Sequence, residues 1–317
     1  MVDETQLAES KSIHRRTGKT FYYATRLLPE RVREATYVLY AFFRVADEVV
    51  DNPEGMSPSE QRERLMEIQR AALGGAPTDD PVLSAFSELR EAYDIPDEEI
   101  EVFIDAMIAD TDTDRYETYE ELESYMRGSA SAVGVMMTMI MDIDEEETAI
   151  PHATRLGEAF QLTNFLRDVR EDIVELDRIY LPRETLRAYD ADAEDIENLE
   201  FTDEIGDAIR HELRRAERLY REGVAGIKYL PRDCQLPVLT AAVLYAEHHR
   251  LIREQGYDTV SERPSLSTFR KLSLVVRTRW HWMRHGDPET VFAKVSAVPM
   301  AETRMGASRP EDPLPMH

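Results

Sequence analysis

Two pairs of aspartates combine a spacing and a setting that suit metal chemistry. Asp47 and Asp51 lie in DEVVD, and Asp168 and Asp172 lie in DVRED, so the members of each pair are four residues apart. On a helix this spacing places both carboxylates on one face, about 6 Å apart. Mg²⁺ prefers oxygen ligands and commonly joins one or two carboxylates to the phosphates of a substrate. One interpretation is therefore a pair of sites for a metal-bound diphosphate.

The overall composition offers a second interpretation of the same spacing. Of 317 residues, 63 are acidic. At that frequency about a dozen acidic pairs separated by four residues are expected by chance on helices, and most would be solvated. Spacing alone leaves both interpretations open.

The neighbouring residues favour the metal interpretation. Asp47 directly follows the apolar stretch VLYAFFRVA, and Asp51 lies four residues further on. Around the second pair, a polar line advances by three or four residues through an otherwise apolar segment: Gln161, Asn164, Asp168 and Asp172. Two such helices facing each other would present four carboxylates to a central cavity.

The segments that carry these residues have a helical hydrophobic period, as does most of the chain. The predicted helices are 31–50, 58–73, 81–93, 96–109, 118–140, 146–175, 202–225, 236–255 and 267–285. Ser57, Pro58 and Glu60 form a helix-start signal of the capping-box type. We find neither alternating strand patterns nor a glycine-rich phosphate loop, so we predict an all-α fold.

The domain organisation is expected to be simple. No linker interrupts the helical segments, which indicates one domain over residues 1–285. Residues 286–317 are rich in proline, methionine and small residues, so we expect a loose C-terminal tail.

The charge balance argues against nucleic acid as a partner and, because the sequence shows no polybasic cluster, against electrostatic capture by anionic lipid. The formal net charge is −25, and only five of the 38 basic residues are lysine. A nucleic-acid-binding protein would show a basic face instead, so no nucleic-acid partner is expected. An acidic surface poor in lysine is consistent with a high-salt cytosol, and 42% apolar residues indicate a buried core.

The chain is expected to be cytoplasmic. Cys234 is the only cysteine, the N-terminus is polar and acidic, and the longest weakly charged run, 129–141, is too short to span a bilayer. Trp280 and Trp282, near Leu272 and Val276, allow peripheral membrane contact, although core packing is the favoured interpretation. The oligomeric state is not predictable from these features.

Several long motifs resemble the squalene/phytoene synthase family. They include LYAFFRVADEVVDNP, LGEAFQLTNFLRDVREDIVELDRIYLP and YAEHHRLIREQGYDTVSERPSLSTFRKL, in the family's order over about residues 10 to 280. DEVVDNP and YMRGSA are more similar to the phytoene synthase branch than to the squalene synthase branch. The resemblance implies a helical bundle of the isoprenoid-synthase type around a central cavity.

The resemblance also implies roles for individual residues. It assigns Mg²⁺, with Mn²⁺ as the alternative, to Asp47, Asp51, Asn164, Asp168 and Asp172. The four aspartates and Tyr245 form the implied catalytic set. The implied substrate-binding residues are Thr20, Tyr40, Arg44, Gln161, Asn164, Arg167, Arg178 and Arg263. Tyrosine rings such as Tyr40 and Tyr245 offer a negative π face to a carbocation.

Two departures from the family pattern affect these assignments. The family commonly has two serines where this chain has Gly18 and Thr20, so one hydroxyl at most remains there. In YMRGSAS, Tyr125 is present, but the second tyrosine that many members carry is missing. The residue that handles the final proton is therefore not assigned.

The implied reaction is the head-to-head condensation of two geranylgeranyl diphosphates. It proceeds through a cyclopropyl diphosphate (prephytoene diphosphate) to phytoene in carotenoid biosynthesis, and no NADPH is expected. Squalene or dehydrosqualene synthesis from farnesyl diphosphate is the alternative within the family. A non-catalytic assembly factor is the alternative outside enzymology, although both aspartate pairs are intact.

Overall fold

The structure, a computed structural model, describes residues 4–17, 25–52 and 55–299. Within these ranges the chain is helical apart from its connections and an isolated parallel bridge between Arg115 and Ile179. The prediction of an all-α fold is confirmed. Thr20, a predicted substrate-binding residue, lies outside the described residues.

The helices are numbered here in chain order. The first eight are α1 (Glu4–Thr17), α2 (Glu30–Asp51), α3 (Pro58–Ala72), α4 (Pro81–Ala92), α5 (Asp97–Ala109), α6 (Tyr119–Met126), α7 (Ala132–Met139) and α8 (Glu146–Arg167). The remaining α-helices are α9 (Val169–Leu176), α10 (Arg183–Ala188), α11 (Ala193–Glu197), α12 (Asp203–Val224), α13 (Arg232–Glu254), α14 (Thr268–His285) and α15 (Pro288–Val295). A π-helical turn, Arg127–Ser131, joins α6 to α7, and a 3₁₀ turn, Ile227–Tyr229, precedes α13.

The chain divides into two compact units, each assembled from separate stretches of sequence. Unit 1 comprises Met1–Thr113, Tyr125–Gly157 and Gly223–Ala241. Unit 2 comprises Asp114–Ser124, Glu158–Glu222 and Ala242–His317. The single domain expected over residues 1–285 stays a prediction.

In unit 1, stacked aromatic rings fix the orientation of α2. The ring of Phe42 stacks on that of Phe86 with centroids 3.8 Å apart, and Phe43 lies 5.0 Å from Phe103. Burying rings of this size is a major contribution to a core, and tilted and stacked pairs add to it. Since Phe42 and Phe43 face the core, the polar residues of α2 occupy the remaining face.

A close helix contact in unit 1 depends on a glycine beside the π-helical turn. A Cβ at Gly128 would lie 2.2 Å from the carbonyl oxygen of Val102 and 2.6 Å from the Cβ of Ala106. Next to it, both guanidinium nitrogens of Arg127 donate to the carboxylate of Glu99, each at 2.8 Å. The turn is thus pressed against α5 at Gly128 and held there by a bidentate ion pair.

In unit 2, a buried polar cluster ties α8 to α12 and α13. The hydroxyl of Thr163 lies 2.8 Å from Nε2 of His249 and 3.1 Å from the hydroxyl of Tyr220. All three side chains are buried. Burial lowers the pKa of His249 to about 3, so the imidazole is neutral at physiological pH.

The observed helices differ from the predicted ones in identifiable places. The helix expected over 118–140 contains the π-helical turn, and the one expected over 146–175 is interrupted at Asp168. The helices α1, α10 and α11 were not predicted, since they are short or strongly polar. The capping box at the start of α3 is confirmed, because the side chains and backbone of Ser57 and Glu60 bond reciprocally.

The prediction of a loose tail is wrong for its first part. Residues Pro288–Val295 form α15, which buries Val291, Phe292 and Val295. Asp287 starts this helix, because its carboxylate accepts from the backbone N–H of Thr290 at 2.7 Å. Residues 300–317 lie outside the described part of the chain.

We expect Gly128→Ala to lower the free energy of unfolding by about 1–3 kcal/mol, because the new methyl group would meet backbone atoms of α5 that cannot move independently. Unfolding in denaturant measures the change. The matched control is Gly75→Ala, whose Cβ would meet its nearest heavy atom only at 3.4 Å. Equal stability of the two variants would contradict the close approach.

Candidate active site

The first aspartate pair lies on α2 around an arginine. Tyr40, Arg44, Asp47 and Asp51 follow at intervals of four, three and four residues, which aligns them along one helix face. Nη1 of Arg44 lies 3.2 Å from Asp47 and 3.8 Å from Asp51, while Nη2 lies 3.4 Å from Glu48. One guanidinium group therefore contacts three carboxylates.

The Asp47 carboxyl resists ionisation in spite of this arginine. Desolvation raises its pKa to about 7, and the carboxylates of Asp51 and Asp110 act in the same direction. Arg44 opposes the rise without cancelling it. The first pair thus has more negative charge than its single arginine balances.

Asp110 lies close enough to the first aspartate pair to raise the pKa of Asp47, although no motif predicted this. It follows the last residue of α5, and its Oδ2 accepts a hydrogen bond from the hydroxyl of Tyr125 at 2.8 Å. In the sequence, Asp110 is one of several acidic residues in the segment 110–114, whose pattern indicates only the end of a helix. Asp110 is therefore linked to the first pair by its charge and its position in the fold, and by no sequence motif.

The second aspartate pair lies at a break between two helices. Asp168, with φ −102° and ψ 14°, separates α8 from α9. The helical hydrogen-bond pattern of the backbone nevertheless continues through Asp168. Its N–H donates to the carbonyl of Asn164, and the N–H of Asp172 donates to the carbonyl of Asp168, both at 2.8 Å. The predicted spacing of Asn164, Asp168 and Asp172 therefore survives the break.

Two arginines hold the Asp168 carboxylate. Nε of Arg167 donates to it at 2.6 Å, and Nε of Arg263 lies 2.7 Å from the same oxygen, Oδ1. Nη1 of Arg263 also donates to Glu171 at 2.6 Å. Contacts of this kind are among the stronger polar interactions in proteins, because both partners are charged.

The Asp172 carboxyl has a raised pKa. Desolvation raises its pKa to about 8, and the neighbouring carboxylates of Asp168 and Glu171 act in the same direction, whereas Arg167 and Arg178 oppose them. Arg178 is brought near by the end of α9. There Asp177 adopts a left-handed conformation with φ 52°, and the N–H of Arg178 donates to the carbonyl of Asp172.

The connection that carries Arg263 is anchored to the start of α9. The backbone N–H and the side chain of Arg170 donate to the carbonyls of Thr259 and Val260 at 3.2 and 3.3 Å. Gln255 also donates from its side chain to the carbonyl of Glu262 at 3.2 Å. These bonds fix the backbone directly before Arg263, so its position relative to Asp168 is built into the fold.

Aromatic rings line the same region of unit 2. Tyr245 stacks on Phe160 with centroids 4.6 Å apart, and Arg167 is close enough to interact electrostatically with Tyr245. The ring of Tyr180 stacks on that of Phe165 with centroids 3.8 Å apart, and the ring of Tyr116 lies 5.9 Å from that of Tyr180. Nη1 of Arg178 donates to the Tyr180 hydroxyl at 3.4 Å. Tyr180 is thus a packed aromatic residue whose hydroxyl also accepts a hydrogen bond from Arg178.

The structure brings most predicted site residues into two groups. On α2 lie Tyr40, Arg44, Asp47 and Asp51. In unit 2 lie Gln161, Asn164, Arg167, Asp168, Asp172, Arg178, Tyr245 and Arg263. Gln161 and Asn164 are both partly exposed on α8. Sequence reasoning missed Glu171, whose only signal is its position between the two aspartates.

The donor set suits Mg²⁺ in a particular way. Among the residues that the structure describes, no group of three or more His, Cys, Asp or Glu side chains is placed to hold a metal alone. Mg²⁺ seldom uses such cages, since it keeps waters and binds through one or two carboxylates plus phosphate. Neighbouring carboxyls whose charged form is disfavoured, as at Asp47 and Asp172, are suited to a divalent cation that would restore ionisation.

Comparison with known proteins defines the class of the fold. A dehydrosqualene synthase solved with a ligand superposes with a TM-score of 0.80 at 27% identity, covering 89% of this chain and 98% of the other. The squalene synthase of Alicyclobacillus acidocaldarius gives a TM-score of 0.71 at 26% identity, over 81% and 97% of the two chains. The chain has the all-helical isoprenoid-synthase fold.

Sequence comparison then gives the family. The squalene/phytoene synthase family matches residues 14–270. Phytoene synthase of Cereibacter sphaeroides is 33% identical, over 86% of this chain and 79% of its own length. 15-cis-phytoene synthase of Synechococcus elongatus is 32% identical, over 83% and 89%. The chain belongs to the squalene/phytoene synthase family of prenyl-transferring enzymes, and the family resemblance inferred from its motifs is confirmed.

We expect the metal-free protein to lose stability as the pH rises from about 6.5 to about 8.5. In this window Asp47 and Asp172 of the folded chain release protons near pH 7 and 8, whereas the unfolded chain released them near 3.8. The folded state therefore binds more protons than the unfolded state, and the free energy of unfolding falls with rising pH. His248 and His249, neutral in the fold, still release protons near pH 6.5 in the unfolded chain, which offsets a small part of this fall at the lower end of the window.

Thermal unfolding in EDTA at constant KCl concentration measures this effect. The double variant Asp47→Asn/Asp172→Asn should show a clearly smaller fall in midpoint, and an equal fall would contradict the raised pKa values. Mg²⁺ should stabilise the parent more at pH 8.5 than at pH 6.5, because its carboxylate ligands must be ionised.

Proposed function

We propose that the protein joins two geranylgeranyl diphosphates head to head and converts the cyclopropyl intermediate, prephytoene diphosphate, to phytoene. The relatives named phytoene synthase, up to 33% identical over most of the chain, support this choice within the family. The observation that carries the proposal is the surrounding of Asp168 and Asp172. The pKa of Asp172 is raised, and Arg167 and Arg263 contact the carboxylate of Asp168. This combination suits a metal-bound diphosphate.

We assign Mg²⁺, with Mn²⁺ as the alternative, to Asp47 and Asp51 and to Asn164, Asp168 and Asp172. When bound, the metal would neutralise the diphosphate and make it a better leaving group. The family uses prenyl diphosphates and is typically metal-dependent, which supports this assignment.

The arginines are assigned to the diphosphate. Arg167 and Arg263 contact Asp168, and Arg178 lies near Asp172, so their guanidinium groups are within reach of a diphosphate held by those carboxylates. Arg44 has the same relation to Asp47. A planar guanidinium with several N–H donors binds phosphate oxygens in two-point contacts, and such groups would stabilise a departing anion.

The tyrosines are assigned to the hydrocarbon end of the reaction. Tyr245 is stacked on Phe160, so its ring is held in a fixed orientation, and its face can stabilise a carbocation without trapping it. Tyr40, one turn before Arg44, has the corresponding role on α2, and Gln161 orients substrate beside Tyr245. Loss of a proton completes phytoene formation, so no NADPH is required for this product.

A squalene or dehydrosqualene synthase using farnesyl diphosphate is the second candidate, since the similar solved structures include such enzymes. The chemistry up to the cyclopropyl intermediate is the same, and the chain length of the substrate distinguishes the two. A non-catalytic assembly factor is the third candidate. We place the protein in the cytoplasm with peripheral contact to membranes that hold its product.

Product analysis distinguishes these candidates. Purified protein in high salt with Mg²⁺ is incubated separately with geranylgeranyl and farnesyl diphosphate, with and without NADPH, and the hydrocarbon is identified. Phytoene from the C20 substrate without NADPH supports the proposal. Squalene formed only with NADPH, or dehydrosqualene from the C15 substrate alone, would identify the second candidate, and no turnover with either would favour the third.

We expect Asp168→Asn to lower turnover by more than about 100-fold while the fold is retained, since loss of outer-shell partners of a metal already costs 10–100-fold. The amide keeps the shape of the carboxylate but removes its charge. The control is Glu63→Gln/Glu67→Gln, an acidic pair with the same spacing on the exposed face of α3. Substantial activity of Asp168→Asn would exclude its role as a ligand.

A further inference from the structure

Helix α14 carries a continuous apolar stripe on its exposed side. The stripe consists of Phe269, Leu272, Val276, Trp280 and Met283, whose exposed fractions are 84, 62, 59, 47 and 69%. Their spacing of three, four, four and three residues confines them to an arc of about 80° at 100° per residue. Core packing, the favoured interpretation of this segment in the sequence, is therefore wrong for Leu272, Val276 and Trp280.

The stripe is not needed for packing within unit 2. Helix α14 buries Leu274 and Thr278, which lie on the opposite side of the helix. Among the described residues, the other large apolar side chains that are exposed occur singly on separate segments: Leu27, Met66 and Val174. Single exposed apolar residues are ordinary, whereas a contiguous row of five marks an interaction surface.

The charge of α14 is opposite to that of the chain. Thr268–His285 contains five arginines and lysines and no acid, in a protein with a net charge of −25. The exposed Arg277 and Arg284 border the stripe on one side and Arg279 borders it on the other. The guanidinium of Arg284 lies over the Trp280 ring at 4.5 Å, which keeps this cation beside the stripe.

We propose that this stripe docks on the surface of an anionic lipid bilayer. Its five apolar side chains would enter the boundary between headgroups and acyl chains, and the bordering arginines would bind lipid phosphates. An apolar arc with basic flanks is the pattern of a helix that lies in a membrane interface. Within the described residues, no helix is long and apolar enough to cross the bilayer, so contact from one side is the mode available to α14.

Charge favours lipid over a second copy of this chain. A symmetric dimer through the stripe would bring together two helices that carry five cations each and no acid. Such like-charge contacts are destabilising, whereas phosphate headgroups complement the same cations.

The net charge determines how the docking depends on salt. Far from contact, a charge of −25 repels an anionic surface. The screening length falls from about 10 Å at 0.1 M salt to about 3 Å at 1 M, so high salt removes this repulsion. Apolar insertion does not weaken in this way, and binding should therefore persist at molar KCl.

Cosedimentation of the full chain with vesicles tests the proposal. Vesicles of equal parts phosphatidylglycerol and phosphatidylcholine, free of isoprenoids, are compared with phosphatidylcholine vesicles in 2 M KCl. The triple variant Phe269→Gln/Leu272→Gln/Met283→Gln should bind the anionic vesicles at least about 10-fold more weakly. The control Leu27→Gln/Met66→Gln removes exposed apolar side chains elsewhere and should bind like the parent.

The arginines that border the stripe are tested separately. The variant Arg277→Gln/Arg279→Gln/Arg284→Gln should lose the parent's preference for anionic over phosphatidylcholine vesicles. Circular dichroism establishes that each variant is folded. Absence of parent binding, equal binding by the stripe variant, or a dimer in light scattering that the stripe variant dissolves would each overturn the proposal.

The outcome is independent of the proposed reaction. The stripe variant should turn over detergent-dispersed prenyl diphosphate at the parental rate, because none of its substitutions touches the assigned site residues. Turnover without vesicle binding would overturn only the docking surface. Vesicle binding without turnover would overturn only the proposed function.

Discussion

Repulsion between partly buried carboxylates is the interaction on which the arrangement of the site depends. Asp47 is affected by Asp51 and Asp110, and Asp172 by Asp168 and Glu171, so ionisation at each group is opposed by its neighbours as well as by desolvation. A chain gains nothing in stability from such clusters, and their retention implies a use. The contacting arginines limit the repulsion and could instead bind the anion of a substrate.

These clusters require rigid support, which the two units provide in different ways. In unit 1 the aromatic contacts of Phe42 and Phe43 hold α2 through apolar burial. In unit 2 the Thr163 hydroxyl, hydrogen-bonded to buried partners, holds α8 at the turn that precedes Arg167 and Asp168. A polar anchor fixes the rotation and register of a helix more narrowly than apolar packing does, because hydrogen bonds tolerate little displacement.

The sequence predicted the elements well and the local chemistry only in part. Hydrophobic periodicity located the long helices, since each buries a continuous apolar face. It could not predict the break at Asp168, because the backbone ladder continues there, nor the π-helical turn, in which Gly128 lets α5 approach closely. The four motif aspartates were recognisable from their apolar context. Asp110 and Glu171 were not, because their roles come from proximity in space within an acidic background.

The net charge of −25 hides the fact that some basic side chains are concentrated locally. Within an acidic chain, arginines contact the two motif carboxylate clusters, and five arginines and lysines without any acid lie along α14. Both arrangements suit phosphate, in one case with metal ions and in the other at a lipid surface. The acidic remainder repels anionic partners, and in high salt this repulsion acts only over a few ångströms, so it would not keep phosphate away from either place.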